Sequence, residues 1–326
     1  MALKMSNKSF VKFLFSIGFI LMLFSCGKKK QQSDSQSETV VEVKKDAPVF
    51  RLSLAQWSLH REVIEQGISP FLFAHTAKNM GFEGLEYVSQ LYNKEVEKLG
   101  FDAVIDSLKV LSESVGIENV LIMVDGEGDL ANPDLDKRNL AVENHKKWID
   151  AAQKLGAHSI RVNTFGTNDP ELWKEVVVDG LKKLSTYAAT KNINVLCENH
   201  GWLSSDAPKL IDAIKTVNML NCGTLPDFGN WCIKRAKGEK WGGCLEEYPD
   251  KYEGIEIMLP LAKAVSAKCY HFDDAGNETT IDYARMMTII KASGYEGFIG
   301  VEYEGEVMSE RDGILSAKNL LLKHFN

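Results

Sequence analysis

From residue 50 onward the chain alternates short runs rich in β-branched and aromatic residues with longer stretches whose apolar positions recur at helical spacing. The short runs predict strands over 51–57, 84–88, 119–124, 159–164, 194–198, 222–226, 267–272 and 298–302. Between most of them the spacing predicts helices, among them 70–77, 141–155, 172–190 and 207–217. Several helices pass through a glycine into the next strand, at Gly81, Gly116, Gly156 and Gly294, where a left-handed C-cap is expected.

Eight strand–helix units over 49–326 suit a (β/α)₈ TIM barrel, whose usual size is about 250 residues. A doubly wound open sheet would want a glycine-rich phosphate loop after its first strand. Here that strand runs into Gln56-Trp57-Ser58-Leu59-His60, with no such loop. The longest connection, 227–266, carries a basic stretch, Trp241-Gly242-Gly243 and two cysteines, Cys232 and Cys244. Long loops in compact domains are usually lids or binding loops. The spacing of the two cysteines leaves both a disulfide and two free thiols open.

The first 48 residues follow another pattern. Lys4, Lys8 and Lys12 precede an apolar run over 13–24, about half the length a membrane-spanning helix needs. Residues 1–25 read as a signal peptide. Leu23-Phe24-Ser25-Cys26-Gly27 resembles the lipobox of bacterial lipoproteins, which implies cleavage before Cys26 and lipids on that cysteine. Residues 26–48, with Lys28-Lys29-Lys30 and a Ser- and Gln-rich stretch, read as a disordered tether to a membrane, outside the cytoplasm. The composition, 44% hydrophobic and 25% charged, is that of a globular protein, and the formal charge of −7 becomes more negative once the signal's three lysines are removed. Such a body does not suit a phosphate backbone, so no nucleic-acid partner is expected.

Working residues of a TIM barrel stand at the C-terminal ends of its strands. Four successive ends carry Glu198, Asp227, His271 and Glu302. Like charges packed together repel, and a divalent cation would resolve the conflict. An oxygen-rich set with one nitrogen suits Mn²⁺, Mg²⁺ or Co²⁺ and admits Zn²⁺. Lys268 competes with His271 for the seventh strand; pointing inward, it would polarise a carbonyl instead.

The phrases Cys197-Glu198-Asn199-His200-Gly201, Thr224-Leu225-Pro226-Asp227-Phe228-Gly229-Asn230 and Gly300-Val301-Glu302-Tyr303-Glu304-Gly305 resemble the sugar phosphate isomerase/epimerase family, with its xylose isomerase-like barrel, over about residues 50–326. The resemblance implies a metal on Glu198, Asp227, His271 and Glu302, with the two glutamates as an acid/base pair across a sugar carbon. The chain departs from the family at Asn230, where epimerases often carry a histidine; His200 is the candidate to supply an imidazole instead. Trp57, His60, Glu86, Arg161, Asn163, Asn230 and Lys268 are candidate sugar contacts, with a pairing of Glu86 to Arg161 inside the barrel as the structural alternative for those two. His158 reads as structural, and Trp202 as a further substrate contact.

Chemically, a metal acidifies a C–H between a carbonyl and a hydroxyl, and a carboxylate removes the proton to give an enediolate. Epimerisation, isomerisation and elimination share that intermediate. The expectation is a metal-dependent isomerase or epimerase on a non-phosphorylated sugar or keto-sugar, since export separates the chain from cytoplasmic phosphosugars and no phosphate nest follows strands seven and eight. A lyase or hydratase on 3-keto-glycosides is the alternative, and a tethered sugar-binding protein without catalysis a further one. An endonuclease on the same barrel would want more than the seven histidines present, and a basic groove.

Overall fold

The computed structural model describes residues 50–325; the segments read from the sequence as signal peptide, lipobox with Cys26 and tether lie outside them. Eight parallel strands form the barrel: β1 Arg51–Ala55, β2 Gly84–Val88, β3 Glu118–Met123, β4 Ser159–Val162, β5 Asn194–Glu198, β6 Cys222–Leu225, β9 Val265–Cys269 and β10 Phe298–Tyr303, with β7 Cys232–Arg235 and β8 Cys244–Glu247 in an outlying hairpin. Hydrogen bonding runs β6-β5-β4-β3-β2-β1-β10-β9. Two isolated parallel bridges, Thr224 to Ala262 and Asp227 to Ser266, join the last pair of edges. This is the (β/α)₈ TIM barrel that the hydrophobic pattern predicts.

Alternation sorts each strand into two faces. On β9, Val265, Ala267 and Cys269 join the apolar shell between strands and helices, while Ser266 and Lys268 meet carboxylates inside the barrel. Glu86, Arg161, Glu198 and Glu302 are likewise buried polar residues that meet one another's neighbours inside the barrel. The upper barrel is thus filled with charge. Gly300 makes room for it: a Cβ there would stand 2.4 Å from Glu86 Oε1.

The expected helix stops hold: Gly81, Gly116, Gly156 and Gly294 all take positive φ. Asp134, Asp169, Asp250 and Asp282 cap helix N-termini by accepting backbone amide hydrogens. The seventh barrel strand departs from expectation. It spans Val265–Cys269 rather than 267–272, because the chain turns out after Cys269 and the Glu278 carboxylate accepts from the backbone amides of Tyr270 and His271.

The long connection after β6 folds into the antiparallel hairpin β7–β8, crosslinked by a Cys232–Cys244 disulfide. Among the described residues, no helix is long and apolar enough to cross a membrane.

Candidate active site

At the C-terminal ends of β5, β6 and β10, the carboxylates of Glu198, Asp227 and Glu302 converge. One oxygen of each lies within 4.8 Å of the others, and all three residues are buried. β5 and β6 are locked together there by Asn199, which donates to the Asp227 carbonyl at 2.9 Å and accepts from the Asp227 amide at 2.7 Å. Asp227 Oδ1 accepts from the amides of Gly229 and Asn230, each at 2.8 Å. The Ser266 hydroxyl stands 2.6 Å from Asp227 Oδ2 and 3.1 Å from Glu302 Oε2. With a single proton it serves one of them at a time.

His271 is not part of this cluster. It is exposed, and its position shares the parity of Ala267 and Cys269, which face the helices. Lys268 is the β9 residue that enters, only 1% exposed. Its ammonium lies 3.0 Å from Glu302 Oε1, 2.9 Å from Glu304 Oε1 and 3.9 Å from Asp227 Oδ2. Burial alone would lower the lysine's pKa; Glu302, Glu304 and Asp227 outweigh that and hold it well above its ordinary value. Burial would raise Glu304, yet Lys268 brings it below the usual range.

Arg161 supplies the second internal cation. Its Nη1 donates to Asp125 Oδ1 at 3.0 Å, and its Nε lies 2.9 Å from Glu198 Oε2 without the alignment of a hydrogen bond. Glu198 Oε1 accepts from Asn230 Nδ2 at 3.0 Å. Burial pushes the Glu198 carboxyl up to about 8, against the pull of Arg161, and pushes Asp227 up to about 6, against Lys268. Glu86 stands apart. It accepts from Ser53 Oγ at 2.5 Å and does not line the cavity, and burial raises it to about 8, so it is held protonated at neutral pH. Arg161 pairs with Asp125 and Glu198 instead.

A relay fixes the imidazole of His200. Asn163 donates from Nδ2 to Asp125 Oδ1 at 2.6 Å, which turns its carbonyl toward His200 Nδ1, also at 2.6 Å. A carboxylate only accepts, so Nδ1 carries the hydrogen and Nε2 is left as acceptor. Burial and then Arg161 lower the imidazole to about 3. His200 is therefore a neutral hydrogen-bonding group.

Above the cluster opens a cavity of about 780 Å³. Arg161, Asn163, His200, Asn230, Glu302 and Glu304 line it, together with Trp57, Phe165 and Trp241. Glu198, Asp227 and Lys268 lie beneath this lining. Trp57 stacks on His60 with ring centroids 4.6 Å apart, and His60 Nδ1 bonds the Trp57 carbonyl at 2.7 Å, so His60 backs the tryptophan without lining the cavity. The hairpin supplies Trp241, which packs on His200 at 4.9 Å and Phe165 at 5.2 Å, and Lys240, which pairs with Asp129. Trp202 anchors the hairpin through its indole N–H to the Glu239 carbonyl and does not line the cavity. His158, half-buried, bonds Ser159 Oγ.

Asp125, Glu304, Ser266, Phe165 and Trp241 have no place among the residues the sequence singles out for the site. Two of them had a usable signal. Asp125 lies two residues past Met123, the register partner of Arg161, and Glu304 lies two past Glu302; strand parity carries both inward.

The triad fits a divalent ion in donor type and spacing, and Glu198 Oε2 is a buried oxygen with no hydrogen-bond donor. With His271 outside, the set is all oxygen.

Residues 74–323 match the model of the xylose isomerase-like TIM barrel family. No curated protein matches the chain. Among solved structures, D-psicose 3-epimerase with D-tagatose from Clostridium cellulolyticum H10 superposes with a TM-score of 0.60 at 15% identity, over 84% of this chain and 98% of that one. The IOLI protein with a bound zinc atom gives 0.63 at 15% identity, over 85% and 98%. The 3-keto-D-glucoside 4-epimerase YcjR from E. coli, in its apo form, gives 0.61 at 14% identity, over 84% and 100%. At these identities the likeness is one of fold.

Proposed function

The chain belongs to the xylose isomerase-like TIM barrel family, and from that premise we propose that it is a sugar epimerase or isomerase working through an enediolate. The observation that carries this reading is Glu302, a carboxylate that lines the cavity while sharing a buried cluster with Glu198 and Asp227. The sugar epimerases among the similar folds support it.

In this reading Glu302 takes the proton from the carbon beside a carbonyl, and Glu198 is the second carboxylate of the exchange. Arg161 and Asn230 hold Glu198 in place. His200 and Asn163 receive and donate hydrogen bonds to sugar hydroxyls, and Trp57 offers an apolar face to the ring. A divalent ion held by Glu198, Asp227 and Glu302 would polarise the carbonyl and its neighbouring hydroxyl. The all-oxygen donor set favours Mn²⁺ or Mg²⁺.

We propose a substrate without phosphate. Asp125, Glu127, Asp129, Glu302 and Glu304 line the cavity, against Arg161, Arg235 and Lys240. Arg161 and Lys240 are already paired with Asp125 and Asp129. A phosphate would meet Arg235 alone.

A second reading, lyase or hydratase action on 3-keto-glycosides, is favoured by the aromatic wall of Phe165 and Trp241, which offers an apolar surface for a glycosidic substituent. Incubating the Mn²⁺-loaded protein with free ketoses, aldoses, their phosphates and 3-keto-glucosides, with products identified by NMR, tests both. Epimers or aldose–ketose pairs from unphosphorylated sugars are expected; elimination or hydration of the keto-glycosides alone supports the second reading. Turnover confined to the phosphates, or none at all, contradicts the proposal.

We also propose that the chain is exported and held to a membrane by lipid on Cys26, on the strength of the lipobox in its sequence.

A further inference from the structure

We propose that Lys268 is the resident cation of the carboxylate cluster, so that a divalent ion must compete with its ammonium for Asp227 and Glu302. This concerns the charge of the site rather than its sugar, and its test does not use turnover.

Three observations meet here. First, two of the three carboxylates that could hold an ion are already partners of the ammonium, Glu302 at 3.0 Å and Asp227 at 3.9 Å. An ion bound about 2.1 Å from those oxygens would be a near neighbour of the ammonium, and like charges at that range repel. Second, the lysine's place is built into the fold. A Cβ on Gly229 would stand 2.7 Å from Lys268 Cγ, so the glycine keeps the lysine's path clear. Glu304, outside the triad, accepts from the ammonium at 2.9 Å. Third, β9 contributes no metal donor to the cluster: its inward residues are Ser266 and Lys268, and His271 is exposed.

Removing one partner of a buried ion pair leaves the other charge uncompensated, which is strongly destabilising. A divalent ion would repair that loss. Lys268→Met should therefore bind Mn²⁺ at least about tenfold more tightly than the natural chain, and Mn²⁺ should raise its melting temperature by more. The experiment is calorimetric titration of MnCl₂ into both proteins after dialysis against a chelator, with thermal unfolding with and without MnCl₂. A Lys268→Met chain that folds only with Mn²⁺ present also supports the inference. Equal or weaker Mn²⁺ binding by Lys268→Met overturns it. If that variant folds under neither condition, the natural chain decides: loss of metal to the chelator supports the inference, and retention of one equivalent overturns it.

Discussion

Glu302 and Lys268 are register partners on adjacent parallel strands of the barrel, and the lysine's ammonium lies 3.0 Å from the carboxylate. The contact joins the one triad carboxylate that lines the cavity to a cation beneath it. Glu302 is thereby oriented from below while its outer face meets whatever fills the cavity. Elsewhere in the barrel interior Arg161 serves Asp125 and Glu198, while burial raises the Glu198 and Glu86 carboxyls alike to about 8.

Glu86 gives a pH-dependent stability. Its folded pKa, about 8, is above the ordinary 4.5, so between those values the folded state binds a proton that the unfolded state lacks. Its contribution is largest below about pH 4.5 and is lost as pH rises toward 8. In Glu86→Gln that loss is absent. Relative to the natural chain, the variant should gain stability between pH 5 and 9, on the order of 4 kcal/mol. Chemical denaturation across that range measures it; a constant difference at all pH values would show that Glu86 is not protonated in the fold.

The disulfide hairpin carries Trp241 and Lys240 to the cavity rim. Opening it with Cys244→Ser frees the strap without touching the barrel. The KM of the identified substrate should rise about fivefold or more, while kcat and the barrel's melting temperature change little. Trp241→Ala should reproduce the KM effect, since it removes the ring that packs on His200 and Phe165. An unchanged KM in both would mean that the hairpin does not contact substrate.

Lipid on Cys26 predicts that the full chain, expressed in a bacterium, fractionates with membranes and carries acyl mass on an N-terminal cysteine. Cys26→Ala should abolish both. A soluble natural chain with residues 1–25 still attached would contradict the export reading.

The barrel was legible because each unit repeats its own grammar. Gly81, Gly116, Gly156 and Gly294 all mark helix ends, and the cores of all eight predicted strands are strands in the fold. Glu198, Asp227 and Glu302 meet because each stands at the end of, or just past, a strand whose limits hydrophobicity fixes closely. The seventh strand was harder. Tyr270 and Phe272 prolong its apolar run past Cys269, and only the distant Glu278 carboxylate, capping two amides, sets where the chain leaves the sheet. That two- to three-residue displacement separates His271 from Lys268. The period of two would have favoured Lys268 once Ser266 was known to face inward. The hairpin's aromatic wall had no such signal, because Phe165, His200 and Trp241 meet only through tertiary packing.

The most direct test of the central claim is deuterium incorporation from D₂O at the carbon beside the carbonyl of the substrate, followed by NMR in the natural chain and in Glu302→Gln. Exchange is expected in the natural chain, with a loss of about a hundredfold or more in the variant, where Glu304 still pairs the Lys268 ammonium at 2.9 Å and a melting curve checks that the fold is kept. Exchange at an undiminished rate in Glu302→Gln, or turnover by the natural chain without any exchange, would contradict it.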